Sequence, residues 1–228
     1  MKIDKVKINN YEIIGFLFVY VILFANAIVM EDSTAALISA FCGISYTILA
    51  GKGIPACYLI GVVGSGFYCY LSFHNSLWGN LLLYAAYYIP MQILGFFQWN
   101  KHLKTDKKEI IKISLDTKEQ VLLFGITTVL SIVLITFLMK FGDNSPYIDG
   151  ITTVFSILGM YLTVKRAIQQ WIVWILVNGL SFIMWIQIAL SGEKVYSTVI
   201  MWAAYFILAI YFYVVWKKEI GKLLFEEK

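Results

Sequence analysis

The chain has 228 residues, of which 60% are hydrophobic and 14% are charged, and its formal net charge is +4. A water-soluble protein of this length cannot cover so much apolar surface, so the composition predicts that lipid surrounds most of the chain. The apolar runs are too long for strands and do not alternate, which excludes a transmembrane β-barrel. The fold class predicted is therefore an all-α polytopic membrane protein.

Eight apolar segments have the length that a tilted helix needs to cross the hydrocarbon of a bilayer. The first of them also resembles a cleavable signal, because a Lys-rich start precedes it and it contains Ala25-Asn26-Ala27. Since the apolar run continues past that point, we expect the segment to be retained. The predicted spans are 13–30, 33–50, 55–73, 77–97, 121–141, 147–164, 168–190 and 195–216.

The basic residues support this number of spans. If alternate loops are assigned to opposite sides, one side holds 16 of the 18 Lys and Arg residues, and the other holds only Lys140 and Lys194. The positive-inside rule then places both termini in the cytoplasm of a multi-pass protein of the cell (inner) membrane. The charge is thus a topology signal and does not indicate binding to nucleic acid. The Lys-rich segment 101–118 also contains acidic residues, so we expect a solvated connector.

An internal repeat organises the spans. Residues 84–89, Tyr-Ala-Ala-Tyr-Tyr-Ile, return as Trp-Ala-Ala-Tyr-Phe-Ile at 202–207, and a shift of 113 positions pairs Lys52 with Lys165. A five-residue insertion near 192–195 brings the shift to 118. Each repeat holds three spans, and the single span between the repeats makes them parallel. The predicted layout of eight transmembrane helices is 1 + 3 + 1 + 3: an N-terminal tail and extra helix (1–32), repeat 1 (33–100), a cytoplasmic connector (101–120), a linker helix (121–145), repeat 2 (146–217) and a cytoplasmic tail (218–228).

The seventh span carries the richest set of polar and aromatic side chains. Trp171, Trp174, Asn178, Ser181 and Trp185 recur every three or four residues, so they share one helical face. An amide deep in a bilayer needs a hydrogen bond and usually faces the interior of the bundle, which favours a binding role for Asn178. The alternatives are a packed aromatic face, with Trp171 in an interfacial belt, and an amide that joins two helices. The matching positions of repeat 1 carry smaller groups: Tyr58, Gly61, Ser65, Tyr68 and Ser72.

Two further spans add candidate residues. In the fourth span, Pro90 frees a backbone carbonyl near Gln92, and this predicts either a hinge, a ligand contact or a kink that only improves packing. We expect Tyr213 and Trp216 of the eighth span in the cytoplasmic aromatic belt. The other candidates from these spans are Asn80, Tyr84, Tyr88, Trp202, Tyr205 and Tyr211.

The residue types that are missing from the predicted spans restrict the chemistry of the ligand. No Asp, Glu, Lys, Arg or His falls near the middle of any predicted span. Ion-coupled pumps normally keep an ionisable residue there, and a phosphate needs cations, so uniport of an unphosphorylated ligand is favoured. Aromatic, Asn and Gln side chains suit a flat, cationic or neutral ring that bears amide and hydroxyl groups. The sequence has no enzyme motif and no metal-ligand spacing, so we expect no catalysis, cofactor or metal.

Two motifs resemble the signatures of the PnuC family of nicotinamide riboside transporters. They are Lys165-Arg166 with Trp171-x-x-Trp174-x-x-x-Asn178, and Pro90-x-Gln92-x-x-Gly95-x-x-x-Trp99. The resemblance covers residues 33–217. It implies a fold related to the SWEET sugar transporters and facilitated diffusion of nicotinamide riboside, which a cytoplasmic kinase then traps by phosphorylation. It also implies that Trp174, Asn178 and Gln92 hold the ligand, although family members often have Asn where Gln92 stands.

Several alternatives remain open at this level. Relatives of the same fold carry thiamine, riboflavin or deoxynucleosides, and thiamine is the nearest rival because it is also cationic and aromatic. A substrate-capture subunit of an ATP-driven importer and a non-transporting scaffold are the readings from other classes. For a transporter, we expect the two halves to rock about a midplane site, and a homo-oligomer is possible. The full set of predicted substrate-binding residues is Trp174, Asn178, Gln92, Trp171, Asn80, Tyr88, Trp185, Tyr205 and Tyr211.

Overall fold

The computed structural model describes residues 10–29, 34–74, 78–104, 109–140, 145–190 and 196–226. In this part of the chain the regular structure is helical, apart from two isolated bridges, Leu103 with Ile110 and Ile113 with Ala167. The predicted all-α class is confirmed. The helices are α1 (Asn10–Val29), α2 (Thr34–Gly51), α3 (Cys57–His74), α4 (Trp78–Leu83), a π-helical turn (Tyr84–Tyr88), α5 (Ile89–Asn100), α6 (Thr117–Lys140), α7 (Pro146–Val164), α8 (Gln169–Leu190) and α9 (Tyr196–Glu226).

Helix length and composition separate two groups among the described residues. Five helical segments are long and apolar enough to cross a membrane: Leu81–Asn100, Thr117–Lys140, Pro146–Val164, Gln169–Gln187 and Val199–Gly221. Three apolar segments are shorter: Ile13–Val29, Leu37–Gly51 and Cys57–Tyr70. Many large apolar side chains point outward on these helices, as expected where lipid is the solvent.

The helices form two compact units that divide after Ile111. In the first unit, α1 packs on α2, α2 on α3, and α3 on α4, the π-helical turn and α5. In the second unit, α6 packs on α7, α7 on α8, and α8 on α9. In each unit the helices therefore pack on one another in chain order.

A local cap explains where α6 begins. The prediction started this span at residue 121, but the helix starts at Thr117 because the Asp116 carboxylate accepts a hydrogen bond from the Glu119 backbone N–H at 2.7 Å. An Asp at this position satisfies one of the free N–H groups of a first helical turn. In the last helix, α9 continues to Glu226, nearly three turns past the predicted limit of 216, through Lys and Glu residues that form helices well but are not apolar.

The two repeats close their first helix with the same turn. Gly53 has φ 72° and Arg166, its partner at a shift of 113, has φ 64°. In each case the residue that follows donates its N–H to a carbonyl five positions earlier, Ile54 to Leu49 at 3.0 Å and Ala167 to Leu162 at 3.0 Å. This is the Schellman arrangement, which requires a left-handed residue just after the helix. Arg166 adopts this conformation despite having a side chain.

The π-helical turn shifts the register between the repeats by one residue. Within it, the Ile89 N–H donates to the carbonyl of Tyr84, five residues earlier, so the turn holds one more residue than an α-helical turn. Before it, residue 84 corresponds to 202, a shift of 118. After it, edge-to-face contacts show a shift of 117: Tyr58 meets Trp99 at 5.0 Å, and Trp171 meets Trp216 at 5.7 Å.

Pro90 directly follows the π-helical turn, at the start of α5. Its nitrogen has no hydrogen to donate to the preceding turn, so the ladder of backbone hydrogen bonds is interrupted at this point by the sequence itself. A π-helical turn beside such an interruption is a common way for a long helix to accommodate it. The predicted perturbation around Pro90 is therefore present as a widened turn.

Parts of the connector pack against the helices, which its Lys content did not predict. In the first unit, Ile110 is fully buried and its N–H donates to the Gly53 carbonyl at 2.9 Å. In the second unit, the Ile113 N–H donates to the Arg166 carbonyl at 3.0 Å. In each unit, the connector thus donates a backbone N–H to the carbonyl of the left-handed residue of the Schellman turn.

Lys112 anchors the connector to α9. Its side chain is 2% exposed, and its Nζ lies 2.5 Å from a carboxylate oxygen of Glu219 and 5.1 Å from the centre of the Trp216 ring. A buried ammonium needs such a partner, and the indole face adds an attraction. The expectation that Trp216 lies in the aromatic belt is wrong, since this side chain is fully buried beneath Lys112.

Replacing Gly53 by Ala tests the left-handed turn. A side chain at φ 72° is strained, so we expect Gly53→Ala to lower the free energy of unfolding by roughly 1–2 kcal/mol. Gly125→Ala is the matched control, because Gly125 lies within α6 with nothing within 4 Å of an added Cβ. Thermal unfolding of the detergent-solubilised protein should show a lower midpoint for the first variant alone. Equal midpoints would contradict the account of this turn.

Candidate functional site

In the first unit, Gln92 of α5 is the buried amide. It is 6% exposed, and its Nε2 donates to the Oγ of Ser65 on α3 at 3.0 Å. The same Ser65 hydroxyl lies 3.3 Å from Oε1 and can donate to it. Ser65 is itself buried. The two helices thus present one hydroxyl–carboxamide pair inside the unit.

Gly61 makes the space beside this pair. A Cβ built on Gly61 would lie 2.8 Å from Cδ2 of Tyr46 and 3.1 Å from the carboxamide carbon of Gln92. Such distances are shorter than van der Waals contact, so a side chain at this position would push one of the two groups away. The absence of a Cβ therefore brings the Tyr46 ring of α2 and the Gln92 amide to the same patch of α3.

Tyrosines surround the π-helical turn. Tyr88 is buried and meets the Tyr84 ring edge-to-face at 4.8 Å. Tyr84 in turn lies 4.3 Å from the Tyr68 ring of α3. The predicted site residue Tyr88 is thus one member of a tyrosine cluster that lies one turn before Gln92 in the chain.

In the second unit, Trp174 of α8 is held by α7. Its indole N–H donates to the Thr163 hydroxyl at 3.2 Å, and that hydroxyl donates to the Gly159 carbonyl at 2.8 Å. The ring lies directly over Gly159, where an added Cβ would be 3.0 Å from the indole carbons. Since its N–H is already bonded, Trp174 offers a ligand its ring face.

Asn178 lies one turn further along α8. It is 6% exposed, and its carboxamide makes no hydrogen bond to any residue that the structure describes. Ser181, on the same face, is also buried. An amide this deeply buried costs free energy unless something bonds to it. Asn178 is therefore a buried side chain with unused hydrogen-bonding capacity, as is Gln170, whose Nε2 and Oε1 have no partner among the described residues.

Trp171 lies in a packed aromatic cluster. It is 2% exposed, and its ring contacts Phe212 at 5.4 Å and Trp216 at 5.7 Å. Its indole nitrogen has no hydrogen-bond partner among the described residues. Burial among the rings of α9 is the environment of a core side chain, and it excludes the interfacial-belt alternative for Trp171.

The remaining predicted residues lie apart from these groups or cannot be described. Trp185 is partly buried near the end of α8. Tyr205 contacts Trp202 at 5.9 Å, and Tyr211 contacts Phe212 at 5.0 Å, all on α9. The backbone of Asn80 lies in α4, but its side chain is outside the described part of the structure.

Comparison of the units shows a reciprocal exchange of large and small side chains. At a shift of 113, Tyr46 corresponds to Gly159 and Gly61 corresponds to Trp174. The first unit places the ring on its first repeat helix and the glycine on its second, whereas the second unit does the reverse. The sequence analysis noted only that repeat 2 has rings where repeat 1 has small groups. It missed the compensating Tyr46, which the shift of 113 could have found.

The candidate amides Gln92 and Asn178 are also on non-equivalent helices of the two units. Ser65 corresponds to Asn178 at a shift of 113, and Gln92 corresponds to Ala209 at the shift of 117 that holds after the π-helical turn. Both of these amides are buried, Gln92 on α5 in the first unit and Asn178 on α8 in the second, where Gln169 and Gln170 are buried as well. The sequence analysis named both amides but not the Thr163 that bonds Trp174, because a threonine in an apolar helix carries no distinguishing signal.

The arrangement suits a neutral or cationic ring with polar substituents. Carboxamides and a hydroxyl supply donors and acceptors, and an indole face attracts a cation by roughly 0.5–2 kcal/mol. Among the described residues there is no group of three or more His, Cys, Asp or Glu side chains that could hold a metal ion. The candidate site is thus a set of binding groups, two amides and an indole.

Comparison with known proteins identifies the family. The model of the nicotinamide mononucleotide transporter family matches residues 33–218. The nicotinamide riboside transporter PnuC of Neisseria mucosa is 31% identical over 196 residues, which cover 84% of this chain and 74% of that protein. The chain belongs to the PnuC family.

Two further comparisons agree with the PnuC assignment. The nicotinamide riboside transporter PnuC of Haemophilus influenzae is 28% identical over 193 residues, covering 84% of this chain and 82% of that protein. The crystal structure of the vitamin B3 transporter PnuC superposes with a TM-score of 0.81 at 28% identity, covering 95% of this chain and 94% of that one. The resemblance read from the sequence motifs is confirmed, and the protein is a multi-pass membrane protein of a transporter family.

Replacing Thr163 by Val tests the bond that holds Trp174. The valine keeps the shape but removes the acceptor of the indole N–H, so we expect Thr163→Val to lower the free energy of unfolding by about 1 kcal/mol. Thr127→Val is the control, because the buried Thr127 hydroxyl bonds only the Leu123 carbonyl of its own helix among the described residues. Thermal unfolding should separate the two variants. Identical midpoints would show that the indole bond contributes nothing.

Proposed function

We propose that this protein carries nicotinamide riboside across the cell membrane by facilitated diffusion. The observation that supports this most is the pair of buried amides, Gln92 and Asn178, together with the Trp174 indole face, in a chain of the PnuC family. Nicotinamide riboside offers a cationic pyridinium ring, a carboxamide and a ribose. The ring suits the indole, and the amide and hydroxyl groups suit the two carboxamides.

The names of similar proteins differ in whether the substrate carries a phosphate. The family model is described as a nicotinamide mononucleotide transporter, whereas both curated relatives are named for nicotinamide riboside. In this chain no Lys, Arg or His falls near the middle of a predicted span. A phosphate deep in the membrane requires cationic partners, so this sequence favours the unphosphorylated nucleoside.

We assign the binding roles by unit. Trp174 stacks on the ring of the substrate, since its N–H is already used by Thr163. Asn178 and Gln92 bond the polar substituents. Tyr88, Trp185, Tyr205 and Tyr211 contribute aromatic contacts, Asn80 adds a further amide, and Trp171 supports the others from its packed cluster.

Transport needs no ion and no ATP under this proposal. An ionisable residue within the membrane is the usual means of coupling, and the spans of this chain lack one near their middle. A cytoplasmic kinase that phosphorylates the nucleoside makes uptake effectively one-way, because the charged product no longer fits an uncharged site. Thiamine transport and a substrate-capture subunit of an ATP-driven importer are the competing functions.

The layout we propose has eight membrane crossings as 1 + 3 + 1 + 3. The five long spans are joined by α1, α2 and α3, whose apolar parts are shorter than a typical span but lie within helices of 18–20 residues. Helices of that length reach across the hydrocarbon. Both termini are then cytoplasmic, in agreement with the distribution of Lys and Arg.

Purified protein in liposomes without ATP should take up nicotinamide riboside. We expect Asn178→Leu and Trp174→Ala to weaken binding and uptake at least tenfold, because the first removes the unbonded carboxamide and the second the ring face. Isothermal titration with nicotinamide riboside and thiamine measures affinity and selectivity on the same samples.

Asn100→Leu is the matched control, since this Asn is exposed and its amide bonds only the Phe96 carbonyl of its own helix among the described residues. It should transport as the wild type does. Normal uptake by both site variants would remove the assigned roles. Binding without ATP-independent uptake would favour the importer subunit, and tighter binding of thiamine would replace the substrate.

Cysteine labelling tests the eight-span layout. With Cys42, Cys57 and Cys69 replaced by Ala, single cysteines introduced at Lys2 and Lys228 should both be protected from a membrane-impermeant maleimide in intact cells. Both should react after the membrane is permeabilised. A cysteine at Lys194, in the predicted outer loop, is the control that reacts in intact cells. Termini on opposite faces would exclude an even number of crossings.

A further inference from the structure

We propose that Gln170 of α8 is a further substrate-binding residue, which lies one helical turn from Trp174 and bonds a polar substituent of the substrate. This inference rests on the proposed function, in which the Trp174 ring face and the Asn178 carboxamide bind nicotinamide riboside. The observation that carries it is the state of the Gln170 side chain. It is fully buried, and neither its Nε2 nor its Oε1 has a hydrogen-bond partner among the described residues.

The preceding residue, Gln169, shows how a glutamine with a structural role is bonded at this end of α8. Gln169 is also buried, its Oε1 accepts from the Leu115 backbone N–H at 3.1 Å, and its Nε2 donates to the Ser114 hydroxyl at 3.0 Å. These bonds tie the start of α8 to the connector. The Gln170 carboxamide makes no such tie to any part of the chain that the structure describes. Two adjacent side chains of the same type therefore differ completely in their bonding.

Packing alone does not account for a glutamine at position 170. A carboxamide has two N–H donors and two acceptor lone pairs, and burying them without partners opposes folding. An apolar side chain of similar length would fill the same space without that penalty. A ligand that offers hydroxyl or amide groups removes the penalty when it bonds Gln170. The carboxamide therefore stabilises the bound state of the protein more than the free state.

The geometry of α8 places Gln170 beside the groups already assigned to the substrate. Gln170, Trp174 and Asn178 follow one another at intervals of four residues, so they lie on one side of the helix with about 6 Å of rise between successive members. A flat ring stacked on Trp174 thus has a carboxamide one turn away in each direction along α8. Nicotinamide riboside carries its carboxamide and its ribose on different atoms of the ring, so each substituent has an amide to bond. The sequence analysis began this face at Trp171 and therefore missed Gln170.

Full burial determines when the bond to Gln170 forms. Solvent does not reach the side chain in this conformation, so a ligand bonds it only when the helices around the start of α8 separate. A transporter that works by alternating access passes through such a conformation in every cycle. Because the unbonded amide raises the free energy of the closed conformation, it favours the opening that admits the ligand.

The experiment measures affinity and stability on the same variants. Purified full-length wild type, Gln170→Met and Gln169→Met are titrated with nicotinamide riboside by calorimetry, and their thermal unfolding is followed in separate samples without the nucleoside. Methionine keeps the length of glutamine and removes the amide. We expect Gln170→Met to bind about tenfold more weakly, because a hydrogen bond to the ligand is lost, and to unfold about 2–4 °C higher, because a buried unbonded group is removed. A residue with only a structural role would not give changes of opposite sign.

Gln169→Met is the matched control, since its amide bonds the connector. It should unfold at a lower temperature and keep the affinity of the wild type. Gln170→Leu repeats the test with an apolar side chain of another shape. Unchanged affinity in both Gln170 variants overturns the inference, and so does a lower unfolding temperature or a loss of folding in both, which would show that the amide has a structural role. A wild type that does not bind nicotinamide riboside contradicts the proposed function and this inference with it, whereas normal binding by the wild type and by both Gln170 variants removes this inference alone.

Discussion

A polar side chain inside a lipid-embedded helix must find a partner within the protein or in a ligand, and this constraint applies to the buried amides Gln92 and Asn178. Gln92 meets it by pairing with Ser65 on the neighbouring helix. Asn178 has no such partner among the described residues and is equally buried. In water either amide would be solvated at little cost, but in a membrane protein the same group is either a structural tie between helices or a site that awaits a ligand. Gln92 is such a tie in the first unit, whereas the Asn178 carboxamide bonds no other described residue.

The reciprocal exchange of large and small groups explains how two repeats of the same ancestry can differ in their chemistry without losing their packing. Tyr46 over Gly61 and Trp174 over Gly159 fill similar volumes from opposite helices. Because the summed volume at each helix contact is conserved, the backbone contacts need not change, while the aromatic ring moves from one helix to the other. The ring that faces the exchanged glycine is thus a phenol in the first unit and an indole in the second.

Hydropathy predicted most of the helices, and the errors in their predicted limits come from local interactions of particular side chains. The predicted spans lie within a few residues of the helices because an apolar run long enough to cross lipid can only be helical. The start of α6 was misplaced because Asp116 caps a polar first turn, and the end of α9 because Lys and Glu extend a helix without being apolar. The connector was misjudged since charge alone does not reveal that Lys112 pairs with Glu219. At the site, the spacing along α8 identified Trp174 and Asn178, but their partners on other helices depend on packing.

The π-helical turn of the first unit has a consequence for how the two repeats could diverge in length. A residue inserted into an α-helix rotates everything beyond it by about 100° around the helix axis, since each turn holds 3.6 residues. In the first unit, the extra residue is accommodated in one widened turn, so Trp99 still contacts Tyr58. Trp216 contacts Trp171 in the same way in the repeat that lacks the π-helical turn. The widened turn therefore keeps the residues of α5 beyond it in the same alignment with α3 that their counterparts have in the second unit. Sequence changes at Tyr84–Tyr88 can therefore alter the tyrosine cluster around the π-helical turn while Trp99 keeps its contact with Tyr58.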